Sequence, residues 1–137
     1  MKSALQIVLV SSKMETLSEL AHGLLEHRDV QVHMCKSKQE VLNLLAEESI
    51  TALLVADTID GEKPLALVTE ITKHFPLVNC GLVSDLSPED FHEWTEGLGV
   101  FAQLSPQPTR EEAKTIVETL RKLDFQLSDL EKKGNKS

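Results

Sequence analysis

The stretch Ile50–Gly61, ITALLVADTIDG, decides the fold. A continuous apolar run, Ala52–Ala56, breaks into a polar loop carrying Asp57 and Asp60. A strand buried on both faces reads this way, because a parallel sheet covered by helices leaves no polar face to alternate with. In open α/β sheets, ligands and reacting groups gather at the carboxyl ends of such strands. The loop after Ala56 is therefore where chemistry is to be sought.

Outward from this run, the same pattern repeats with helical stretches between. Leu5–Val10 (LQIVLV) is a short β-branched run closed by Ser11 and Ser12. Leu17, Leu20, Ala21, Leu24 and Leu25 then recur at three and four residues, which predicts a helix over Lys13–His27 with one apolar face. Val30–Cys35 (VQVHMC) sets Val30, Val32 and Met34 against Gln31, His33 and Cys35, the period of a half-covered strand suited to a sheet edge. Ser37 with Glu40 forms a capping box ahead of Val41, Leu42, Leu44 and Leu45. After the Ile50–Ala56 strand, Pro64 opens a helix carrying Leu65, Leu67, Val68 and Ile71, which stops before Pro76.

Val78–Ser84 predicts a fourth strand. Ser87-Pro88-Glu89-Asp90 starts a helix with an N-cap, a proline and two acids, and Gly97 and Gly99 close it. Val100–Leu104 predicts the fifth strand, and Thr109 with Glu112 caps the last helix. There Ile116, Leu120, Leu123, Leu127 and Leu130 are spaced 4-3-4-3, a coiled-coil-like seam. A helix reaching Leu130 would measure about 33 Å, more than one small sheet needs, so its end is expected to protrude as a dimer contact or a link to another partner. Glu131–Ser137 is a polar terminus expected to fray.

Five strands alternating with five helices make an α/β protein, a three-layer five-stranded parallel sheet with helices on both faces. At 137 residues the chain fits one domain with one core. A net charge of −8 argues against a nucleic-acid surface. No run reaches the roughly 20 apolar residues of a membrane span, and Met1–Val10 lacks a signal peptide's length and cleavage site, so a cytoplasmic protein is expected. Cys35 and Cys80 sit in apolar runs far apart and read as buried free thiols. The five histidines lack metal-ligand spacing, and SSKME after the first strand is no glycine-rich phosphate loop. Neither a metal nor a cofactor is expected.

Over about Leu5–Leu123 the chain resembles the receiver domain of two-component response regulators, the chemotaxis-type flavodoxin-like fold. The resemblance rests on IVLV followed by a dipeptide, ALLV with LALVTEI beyond it, GLVSD, and EGLGVFAQLSP. It implies strand order 2-1-3-4-5, a receiver-like unit over 1–123, and a helix extension with a disordered polar tail over 124–137.

Receivers carry an acidic pair after the first strand for Mg²⁺, a phosphoryl-accepting Asp after the third, a Ser or Thr after the fourth and a Lys after the fifth. Here the acidic pair falls on Ser11 and Ser12, the acceptor on Ala56, the Ser/Thr position on Ser84, the aromatic switch on Gln103 and the lysine on Pro106. Leu5–Met14 contains no carboxylate, and no Lys lies between Lys73 and Lys114. Phosphoryl transfer is mostly positioning and charge neutralisation, so these losses remove what makes an aspartate an acceptor.

The expected function is therefore a non-enzymatic pseudo-receiver, a two-component signalling and protein-interaction module that takes no phosphate. The resemblance implies a protein partner or a homodimer through the fourth helix, fifth strand and fifth helix. That face would hold Trp94, Gln103, Leu123, Leu127 and Leu130, whereas Phe91 and Phe101 are read as core. Two alternatives stand beside it. A loop shorter by one residue would make Asp57 the acceptor of a divergent receiver, and Asp57, Asp60, Ser84, Ser11 and Ser12 together would line a small-ligand sensor. Failing both, Asp57 is a loop acid or an N-terminal cap, Ser11 and Ser12 are solvated capping serines, and the Ser84 hydroxyl bonds the local backbone.

Overall fold

A computed structural model describes the backbone of residues 4–134 and the side chains of residues 4–123. Its strands are β1 (Leu5–Val10), β2 (Val30–Cys35), β3 (Ala52–Val55), β4 (Asn79–Val83) and β5 (Val100–Leu104). They form one parallel sheet in the order β2-β1-β3-β4-β5. The helices are α1 (Ser18–Leu25), α2 (Lys38–Glu47), α3 (Pro64–His74), α4 (Pro88–Trp94) and α5 (Arg110–Gly134). The alternation of elements and the strand order agree with the expectation.

The pleat divides the core in two. Ile7 and Leu9 of β1 point to a layer with α1 and α5, which supply Leu20, Leu24, Ala113, Ile116, Val117 and Leu120. Val8 and Val10 point the other way, to Val41, Leu67, Val68, Ile71 and Phe91 of α2, α3 and α4. All four residues of β3 are buried, as a central strand with a layer on each face requires. α1 and α5 approach closely because Gly23 has no side chain: a Cβ there would lie 2.7 Å from the Ala113 Cβ and 2.9 Å from the Arg110 Cα. Arg110 then pairs with Glu19 and Glu26 across the same contact, and Arg121 pairs with Asp29.

Four details differ from the sequence reading. The helix expected from Lys13 begins as a 3-10 turn over Met14–Leu17, and α-helix follows only from Ser18. On β2 the expected inner residue Met34 is 52% exposed, whereas Cys35 is buried against the α2 and α3 layer. In the box before α2, Ser37 accepts from the Glu40 N–H as expected, but the Glu40 carboxylate reaches back to Lys36 N–H rather than to Ser37. The last helix runs 25 residues, about 37 Å, to Gly134.

The two cysteines are free and buried. Burial pushes the Cys80 thiol up to about 12, and burial with the nearby Glu40 charge pushes Cys35 up to about 11.

Candidate functional site at the carboxyl ends of the strands

β1 and β3 are paired with Val10 opposite Val55, and the Ala56 N–H bonds the Val10 carbonyl. The two chains therefore leave the sheet side by side, which brings Ser11 and Ser12 against Asp57. The Asp57 carboxylate accepts from the Ser12 N–H (2.9 Å), the Ser12 hydroxyl (2.8 Å) and the Ser11 hydroxyl (3.4 Å). Ser11 also accepts from the Lys13 N–H at 3.0 Å. Asp57 thus caps the turn into α1 from a strand away. Ser11 is 0% exposed, so it is a buried link in this chain of bonds and not the solvated serine expected. Ala56 turns its methyl toward the α1 and α5 layer.

The β3–α3 loop beyond Asp57 closes on itself. Ile59 and Glu62 form a two-residue antiparallel bridge, with bonds of 3.0 and 2.8 Å, around Asp60 at φ 52° and Gly61 at φ 80°. Two successive positive φ values make a type I′ turn, the conformation that an Asp-Gly pair favours. Ile59 is buried, the Asp60 carboxylate accepts from the Lys38 N–H, and the Lys38 ammonium bridges Glu62 and Glu70. The bonds to Glu70 and Glu62 hold the Lys38 ammonium above its ordinary pKa. Asp60 is therefore spent on α2 and does not join Asp57.

At the end of β4 the Ser84 hydroxyl accepts from the Leu86 N–H, the local backbone bond expected of it. Gln103 of β5 donates its side-chain amide to the Leu86 carbonyl (2.7 Å) and the Ser84 carbonyl (3.3 Å), which fastens the β4–α4 loop to the sheet.

After β5, Pro106 is exposed and Glu112 organises the turn. Its carboxylate accepts from the Ser105 N–H, the Ser105 hydroxyl and the Thr109 N–H at 2.7 to 2.8 Å. Thr109 completes the capping box by accepting from the Glu112 N–H. Partial burial of Glu112 pushes its carboxyl pKa up, but the Ser105 and Thr109 hydrogen bonds together outweigh it, and the net shift is downward.

Of the residues expected at the receiver-like site, Ser11, Ser12 and Asp57 are joined by direct bonds. Ser84 engages Leu86 and Gln103, and Pro106 lies beside the Glu112 turn. Among the described residues no three His, Cys, Asp or Glu side chains are grouped to hold a metal ion. Three surface cavities of about 250 to 370 Å³ include none of Ser11, Ser12, Asp57, Ser84 or Pro106 in their walls, and two of them are lined by Gln103.

Sequence reasoning missed the Gln103 latch, the extra Ser105 bonds of Glu112 and the Lys38 bridge. Only the Asp60-Gly61 turn carried a local signal.

On the proposed interaction face, Phe91 is buried and packs edge-on to Trp94, with ring centroids 6.0 Å apart. Trp94 is 39% exposed. Leu123 packs partly against the α1 and α5 layer, and the side chains of Leu127 and Leu130 lie outside the described residues.

No family model matches the chain, and no curated protein matches it by sequence. Solved structures do match in three dimensions. A signal receiver domain of an HD domain-containing protein from Pseudomonas fluorescens superposes with a TM-score of 0.75 at 20% identity, over 96% of this chain and 95% of its own. A CheY-like response regulator receiver domain protein from Methanospirillum hungatei gives 0.74 at 15% identity, over 90% and 99%. A response regulator receiver domain protein from Clostridium thermocellum gives 0.70 at 18%, over 89% and 98%. Among the described residues no helix is long and apolar enough to cross a membrane. With strand order, layer arrangement and near-complete coverage in agreement, the chain has the flavodoxin-like fold of response-regulator receiver domains.

Proposed function

We propose that this chain is a pseudo-receiver: a two-component-type signalling module that accepts no phosphoryl group and acts by presenting a protein-binding surface. The observation that supports this most is what surrounds Asp57. A phosphoryl acceptor needs cations beside it, a divalent metal and a lysine, to neutralise the charge of the transferred group. Asp57 instead faces two serines, and its oxygens accept three hydrogen bonds from them. The turn after β5, where a receiver's lysine would start, is fastened by a second carboxylate, Glu112. An incoming phosphoryl group would find neutral serines in place of metal-binding acids, and the sequence offers no ammonium between Lys73 and Lys114.

The surface is the α4–β5–α5 face. Trp94 stands exposed on α4, and the Gln103 latch holds the neighbouring loop in one arrangement. Residues 1–123 form the signalling unit in this reading, and the remainder of α5 extends it. Incubation with acetyl phosphate and excess Mg²⁺, followed by intact-protein mass measurement, tests the reading. An unchanged mass is expected. A phosphoryl adduct lost in Asp57→Asn would replace the pseudo-receiver with the divergent receiver.

A further inference from the structure

The outer edge of β5 combines three features that the fold does not require. First, its backbone is open. The Leu104 carbonyl accepts from the Ser84 N–H, so Leu104 turns its peptide groups toward β4 and Gln103 turns its own outward. Phe101, at the register shift opposite Cys80 and Gly81, has no cross-strand partner of its own. The strand VFAQL carries no charge and no proline, the usual guards of an exposed edge.

Second, a cleft runs along each side of that edge. One, of about 270 Å³, lies between β5 and Phe91, His92 and Thr95 of α4 and the turn that follows it. The other, of about 250 Å³, lies between β5 and Thr115, Ile116 and Thr119 of α5. Both are lined by Phe101, Ala102 and Gln103. A strand laid against β5 would send successive side chains alternately into these two clefts.

Third, α4 and the turns on either side of it are acidic. Asp85, Glu89, Asp90, Glu93 and Glu96 are all exposed, and the stretch Asp85–Glu96 holds no Lys or Arg. Among the described residues none of the five is in an ion pair. Trp94 stands in the same stretch and offers an aromatic face to a cation.

We propose that the β5 edge takes an extended, arginine- or lysine-bearing segment of a partner protein as a sixth strand. Its alternate side chains fill the two clefts, and its cations meet the α4 carboxylates and Trp94. This rests on the face assigned under the proposed function and specifies how that face binds and what chemistry it selects. A second copy of the chain is disfavoured at the same edge, since a two-fold contact would bring one acidic α4 toward another of the same sign.

The test uses the full chain, isotope-labelled, and two acetylated peptides of alternating valine and threonine, one ended by arginines and one by glutamates. With the arginine-ended peptide, hydrogen exchange at the Gln103 amide slows about tenfold or more as its N–H acquires a partner. The effect weakens as salt is raised from low to high concentration and is lost with the glutamate-ended peptide or in Glu89→Lys/Glu93→Lys. Binding that moves α4 and α5 resonances while Gln103 exchange is unchanged would overturn strand addition and leave the face as the interaction surface. No response to either peptide, or an equal response to both, would overturn the basic partner. Phosphoryl uptake, measured separately, is unaffected by any of these results.

Discussion

Replacing Asp57 by alanine removes the acceptor of three hydrogen bonds at once. The Ser12 hydroxyl is exposed and recovers its bond from water. The Ser12 N–H loses a charge-assisted partner, and the buried Ser11 hydroxyl is left with no acceptor for its proton. A hydrogen bond to a charged group is worth about 1.5 to 3 kcal/mol when buried and less at the surface, and a stranded buried donor costs about 1 to 3 kcal/mol. The expected loss is about 2 to 3 kcal/mol for Asp57→Ala and about half that for Asp57→Asn, which keeps one oxygen facing the Ser12 N–H. For a domain of this size the alanine variant should melt roughly 6 to 10 °C lower. Urea unfolding monitored by Trp94 fluorescence and by circular dichroism measures it.

The sign carries the test. In a working acceptor site carboxylates crowd one another for the sake of the chemistry, and removing one relieves repulsion and stabilises the fold. A gain in stability for Asp57→Asn would therefore refute the capping role of Asp57.

Gly23→Ala gains about 1 kcal/mol of helix propensity but drives a Cβ to within 2.9 Å of the Arg110 backbone, so α1 and α5 must separate and a net loss of about 1 to 2 kcal/mol is expected by urea unfolding. Glu112→Gln should cost about 1 to 2 kcal/mol near neutral pH, since the Ser105 and Thr109 N–H groups lose a charged acceptor. The Glu112 pKa is lowered on folding, so its contribution is present above the unfolded value of about 4.5 and is lost as pH falls through the folded one. The wild-type and Glu112→Gln stability curves should therefore converge toward acid pH, and a gap that widened there would contradict the assignment. Cys35 and Cys80 should resist alkylation at pH 8 and react fully in denaturant, because burial keeps both thiols protonated, and a thiol count against time checks this.

What was legible in the sequence was what is decided locally or by burial. Ala52–Val55 declared a central strand because both its faces are covered, and Pro64, Ser87 and Thr109 with Glu112 marked helix starts because a cap needs only the residues beside it. The contacts that define the candidate site were not legible. Ser12 meets Asp57 across 45 residues of sequence and Gln103 meets Leu86 across 17, and such contacts exist only once the sheet has set its register. The resemblance to receivers put Ser11, Ser12 and Gln103 at the site, but their bonds follow from geometry.

Local rules also failed where an alternative partner was close. The Glu40 carboxylate had two adjacent N–H groups within reach and took that of Lys36. Asp60-Gly61 is the opposite case, a type I′ signal present in the sequence and read only as loop.

The most direct test of the pseudo-receiver is the backbone amide spectrum of the labelled protein, recorded first with Mg²⁺ and then with beryllofluoride, a mimic of the bound phosphoryl group. A site that takes no phosphate shows no saturable shifts at Ala56, Asp57 or Ser84, and that is the expected result. Saturable shifts centred on those three residues would contradict it and make Asp57 a functional acceptor.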